Sequence, residues 1–128
     1  MKRWSYAVLM LATVALFSIA PGRGEQVDKQ KGFMRIKLMA SQQVLEALAV
    51  ENFDSMAKHA QHISLLTREE GWNVVQTAEY RSRSTEFRRT ADRLTAAAKK
   101  KNLDGATLAY LDLTQKCVEC HKYLRGRE

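Results

Sequence analysis

The sequence predicts an all-α fold, an antiparallel up-down four-helix bundle, on three observations. Apolar residues recur at alternating spacings of four and three in separate stretches of the chain. Helix breakers are scarce: beyond residue 24 there is no proline, and the glycines are Gly32, Gly71, Gly105 and Gly126. No stretch shows the sustained apolar–polar alternation of a half-buried strand.

The 128-residue chain begins with a segment of a different kind. Lys2 and Arg3 precede an apolar run from Tyr6 to Ala20, and Pro21-Gly22-Arg23-Gly24 ends it. A basic start, a short apolar stretch and small residues at its end read as a secretory signal peptide over residues 1–24. The run falls short of the ~20 residues that a spanning helix needs. Gly22 and Gly24 are the small pair at −3 and −1, whereas cleavage after Ala20 would put Pro21 at +1. Residues 25–128 then form one domain with one core. Without Lys2, Arg3 and Arg23, the chain carries 18 Lys and Arg against 14 Asp and Glu. Charges so dispersed, with few aromatics among them, read as solubility and steering towards acidic partners, with no nucleic acid and no membrane span after leader removal.

The first helix is placed over Gly32 to Val50, with Met34, Leu38, Ser41, Leu45 and Leu48 as its seam. The second runs from Asp54 to Thr67, capped by Asp54 or Ser55, with Met56, Ala60 and Ile63 inward and Ala57 and Leu66 beside them. Arg68 to Arg81 is a less regular link. Its Trp72, Val74, Val75 and Tyr80 suit a segment that folds back over the core. The third helix runs from Ser82 to Lys101, with Phe87, Ala91, Leu94 and Ala98 inward and three lysines in its last turn. Asn102 fits its end and Asp104 the next cap. The fourth runs from Gly105 to Leu124, with Ala106, Tyr110, Leu113, Cys117, Cys120 and Leu124 on one seam, and Gly126 as a stop.

That last seam carries the chemistry. Cys117-Val118-Glu119-Cys120-His121 is a Cys-x-x-Cys-His run that uses both cysteines of the chain. This is the attachment signature of c-type haem: two thiols bond the two vinyl groups, and the adjacent histidine reaches the iron. On a helix, His121 lies four residues after Cys117, on the cysteines' side. Three rival chemistries fit less well. A thioredoxin-like dithiol opens a helix after a strand, whereas this one closes a helix in a strandless chain. Zinc needs a fourth ligand, and only His59 and His62 remain, on another helix. A structural disulfide has no use for His121.

The iron's far side is less determined. Met34 is a candidate sixth ligand, because thioethers serve that role and raise the reduction potential. Methionine on a seam is also ordinary core filler. His59 and His62, three residues apart, could bind a metal or supply that ligand, but Lys58 and Gln61 mark a solvated face. Arg125, one turn past His121, reads either as a partner for a haem propionate or as an exposed helix-end cation.

With the run Cys117-Val118-Glu119-Cys120-His121-Lys122-Tyr123-Leu124-Arg125 near its C-terminus, the exported four-helix chain resembles the cytochrome c′ family along essentially its whole mature length. The resemblance implies that Cys117 and Cys120 hold one covalent haem c, that His121 is the proximal ligand and that Arg125 fills a basic position. High-spin members keep an apolar distal site and bind nitric oxide or carbon monoxide; low-spin members place a first-helix methionine on the iron. Phe33-Met34-Arg35 is similar to the low-spin pattern, whereas aligning on Leu38-Met39-Ala40-Ser41 would put Ile36 or Leu38 over the iron.

The expected function is therefore periplasmic electron transfer with redox partner proteins and no catalytic turnover. The alternative is binding of a diatomic gas; a homodimer is compatible with either. Replacing both thiols, Cys117→Ala/Cys120→Ala, is expected to abolish covalent haem. Haem that stays with the denatured polypeptide of this variant would refute the attachment site.

Overall fold

The computed structural model describes residues 23–69, 72 and 75–126. Four helices account for most of them: α1 (Arg23–Ala49), α2 (Phe53–Leu66), α3 (Ala78–Lys99) and α4 (Leu103–Arg125). The described residues contain no strand, and none of their helices is long and apolar enough to cross a membrane. Most of the expected leader, residues 1–22, lies outside the described residues, as do Gly71 and Val74.

Helix α1 starts well upstream of Gly32. Past Pro21 nothing interrupts a run of helix-tolerant polar residues, and one interior glycine costs about 1 kcal/mol without ending a helix. Helices α2 and α4 start at Phe53 and Leu103, one residue before Asp54 and Asp104, because asparagine supplies both caps. Asn52 Oδ1 accepts the Ser55 N–H at 3.0 Å, and Asn102 Oδ1 accepts the Gly105 N–H at 2.9 Å. Asp54 and Asp104 then sit in the first turns, where a carboxylate suits the helix dipole. A Cβ at residue 105 would stand 2.7 Å from the Asn102 amide, so glycine there admits the cap.

The two links are built alike. Glu51 and Lys101 both take positive φ, 54° and 53°. The following asparagine N–H bonds five residues back, Asn52 to Ala47 and Asn102 to Ala97. That bond pairs helix-end carbonyls that would otherwise lack donors. Helix α3 starts at Ala78, four residues before Ser82, because Thr77 Oγ1 accepts the Tyr80 N–H. The polar Ser82-Arg83-Ser84 run looks like a start but lies inside the helix.

The inward rows of α2, α3 and α4 fall where the sequence places them. Met56, Ala60, Ile63, Phe87, Ala91, Leu94, Ala98, Ala106 and Leu113 are all buried in one cluster. Trp72 and Tyr80 are buried too, and Val75 packs against them, so the link does fold back. Trp72 tilts against Phe87 with centroids 5.2 Å apart, and the Tyr80 hydroxyl donates to the Trp72 carbonyl. Burial pushes the Tyr80 phenol up to about pKa 12. Ser64 Oγ donates to Asp92 at 2.6 Å between α2 and α3, and Thr90 Oγ1 donates to Asp112 at 3.2 Å between α3 and α4.

The seam of α1 is the correction. Leu38 is 58 % exposed and Leu45 53 %, while Lys37, Ala40, Val44, Ala47 and Leu48 are buried. Of the expected seam Leu48 is buried and Met34 packs against the core, but through Lys37, Ala40, Val44 and Ala47 the buried row sits one position before the expected one. Large residues suggested the seam, but α1 packs chiefly on α2 and only sparsely on α4. Ala40 and Ala47 let it lie close there, and Leu38 turns to the α4 side. On this register Val44→Asp buries an unpaired charge and is expected to cost about 3–5 kcal/mol. Leu45→Asp should stay within about 0.5 kcal/mol. Denaturant unfolding of both variants checks the register; the opposite order would restore the expected seam.

Candidate functional site

Leu113 is the last buried residue of α4, and from Thr114 onward every described residue is partly or fully exposed. The seam continues through Cys117, Cys120 and Leu124, but the α1 side no longer covers it. Both cysteines are free thiols, half-buried against the core edge. His121 follows on the same side of the helix, exposed.

Between α1 and α4 lies a cavity of about 610 Å³, within the 300–1,000 Å³ range of small-molecule and cofactor sites. Met34, Arg35, Lys37 and Leu38 line it from α1. Tyr110, Cys117, Val118, His121 and Arg125 line it from α4. Ser41 Oγ lies 3.4 Å from the Tyr110 hydroxyl and ties the two helices at the end away from His121.

The structure thus gathers Cys117, His121, Met34 and Arg125 around one space, as the sequence suggested. Cys120 is not among the lining residues; it sits on the core side of the same helix turn. His59 is half-buried and His62 exposed on α2, and neither lines the cavity. Ile36 is largely exposed and also absent from the lining. Among the described residues no three His, Cys, Asp or Glu side chains converge as a metal-binding group.

Sequence reasoning missed Lys37. Only 7 % exposed, it lays its ammonium over the Trp72 and Phe87 rings, 4.3 and 4.0 Å from their centroids. The signal was present as a second spacing of four and three, Phe33, Lys37, Ala40, Val44 and Ala47, which a lysine disguises.

Charge and burial set the chemistry of the donors. Loss of water lowers the His121 pKa, and the Lys37 and Arg125 charges lower it further. Its imidazole is therefore biased towards the neutral form, with a free ring lone pair. Loss of water raises both thiols, Cys117 and Cys120, against the opposing pull of Lys37. It lowers the pKa of Lys37, whose strongest opposing influences are the same two cysteines. One thiol and an imidazole on one wall, the second thiol on the core side of the same helix turn, a thioether on the other wall and exposed guanidinium groups suit an apolar ligand. Such a ligand would carry carbon arms reactive towards sulfur, a central metal and peripheral carboxylates.

No protein-family model, curated protein or solved structure matches this chain. The raised thiol pKa values have a direct consequence in the reduced, ligand-free protein. Alkylation of Cys117 and Cys120 should be slower at pH 8 than that of a free thiol and should still be accelerating above pH 9. Iodoacetamide kinetics followed by mass spectrometry check this; a rate plateau below pH 8 would contradict the buried setting.

Proposed function

We propose that this chain is an exported, periplasmic c-type cytochrome that carries single electrons through one covalently bound haem. His121 would be the proximal ligand and Met34 the distal ligand, in an antiparallel bundle of the cytochrome c′ kind. One observation carries the reading: Cys117 and His121 from α4 and Met34 from α1 line the same cavity. Bound there, the haem supplies a one-electron iron couple.

The remaining roles belong to the chain. Cys117 and Cys120 tether the group from one helix turn, and because both thiols belong to α4 the tether fixes it relative to His121. The imidazole, biased towards its neutral form, offers its lone pair without first losing a proton. Met34 offers a thioether from the opposite wall. Leu38 and Val118 cover apolar surface and exclude water. Arg35 and Arg125 provide cations for carboxylates at the rim. The pairs Lys116–Glu86 and Arg93–Asp112 support opposite chain directions for α3 and α4, since the later α3 residue meets the earlier α4 residue. The basic balance of the chain favours redox partner proteins with acidic surfaces.

A high-spin cytochrome that binds nitric oxide or carbon monoxide is the rival reading, and the presence of Leu38 in the cavity favours it. An absorption spectrum of the purified holoprotein separates the two. Electron transfer through His121 and Met34 predicts a low-spin spectrum with a methionine–iron charge-transfer band that Met34→Ala abolishes. A high-spin spectrum that shifts readily with carbon monoxide would overturn the Met34 assignment and leave gas binding.

A further inference from the structure

We propose that Lys37 sets the reduction potential of the site: its ammonium, buried beside the cavity with no carboxylate partner among the described residues, favours the reduced state. The inference rests on the haem reading of the cavity and deepens it.

Lysine is almost never fully buried unless paired. Lys37 is buried, and the ion pairs formed among the described residues do not include it. What holds it is the stacked pair of Trp72 and Phe87, with the ammonium within 4.3 Å of both ring centroids. Trp72 is itself fixed by the hydrogen bond from Tyr80 to its carbonyl and by an edge contact with Phe33. The side chain also lines the cavity that Cys117 and His121 line. The charge is therefore held in place over the two rings, shielded from water, in a residue that lines the cavity of the proposed redox centre.

A fixed cation acts on a one-electron couple with a definite sign. A donor protein gives up one electron, the ferric centre takes it, and no bond forms or breaks. The oxidised centre carries one more positive charge than the reduced centre, so a nearby buried cation disfavours oxidation. Lys37 is placed for this role rather than for holding a haem carboxylate. Its ammonium lies over the Trp72 and Phe87 rings, whereas the exposed Arg35 and Arg125 in the cavity lining are the cations left for haem carboxylates.

The test uses holoprotein and haem-free protein of Lys37→Leu, with Lys37→Arg as the conservative variant. Lys37→Leu should keep covalent haem and raise the ferric-to-ferrous ratio at fixed potential at least tenfold, a fall of 59 mV or more for a one-electron couple. Lys37→Arg should stay close to the wild-type potential. The haem-free Lys37→Leu protein should melt above the wild type, because an unpaired charge has left the interior. An unchanged potential in Lys37→Leu, an equal fall in Lys37→Arg, or a lower melting temperature in the haem-free leucine variant would overturn the proposal. Wild-type protein without covalent haem would remove the underlying reading and the proposal together. Wild-type haem with an unresponsive Lys37→Leu potential would remove the proposal alone.

Discussion

The spacing between α1 and α4 is the constraint on which the rest of the structure depends. Helix α1 packs on α2, α2 on α3 and α3 on α4, but α1 and α4 meet only sparsely. The residues of α1 explain why contact is uneven along it. Towards its C-terminal end the buried row is Ala40, Val44 and Ala47, small side chains that permit close approach. Towards its N-terminal end the same row presents Phe33 and Lys37, which hold the helix away from the core. The open space falls beside that bulky end, next to the last turns of α4.

The stack beneath Lys37 links this spacing to the irregular segment between α2 and α3. Trp72 comes from that segment, Phe87 from α3 and Lys37 from α1, so three parts of the chain meet at one point. The Trp72 indole Nε1 is buried without a hydrogen-bond partner, and the Lys37 ammonium has ring faces for company. Orphaned buried donors are costly, on the order of 1–3 kcal/mol each. Ser84 Oγ in α3 is likewise buried without a partner, whereas the buried hydroxyls of Ser64, Thr90 and Thr95 all find acceptors.

How much of this was legible in the sequence depends on how well each element's packing matched its own pattern. The inward rows of α2, α3 and α4 were readable because each packs on its neighbours along its length, so large apolar residues and burial coincide. Helix α1 was misread by one position over much of its length because its best-covered face is lined by alanines, a valine and a lysine, while Leu38 and Leu45 are exposed. The asparagine caps were hidden by the aspartates two residues later, which are equally good cap formers by composition. The site split in the same way. Cys117, Cys120 and His121 announce themselves by spacing on one helix. Lys37 and Trp72 belong to the site through contacts distant in sequence, and no local pattern encodes those contacts.

What the open seam exposes also bears on what fills it. A chain that needed only a stable bundle would place apolar residues where Lys37, Cys117 and Cys120 stand, and would close Leu38 and Met34 against α4. Instead a buried cation, the half-buried Cys117 thiol and a largely exposed leucine border one space, with the half-buried Cys120 thiol on the core side of the same helix turn. Each is unfavourable or neutral for folding taken alone. Each becomes favourable if a flat apolar group occupies the cavity, since that group covers Leu38, consumes both thiols and takes the His121 lone pair. Natural sequences retain such local conflicts where function requires them. The concentration of several conflicts around one cavity is the physical argument that the space is a binding site rather than a packing defect.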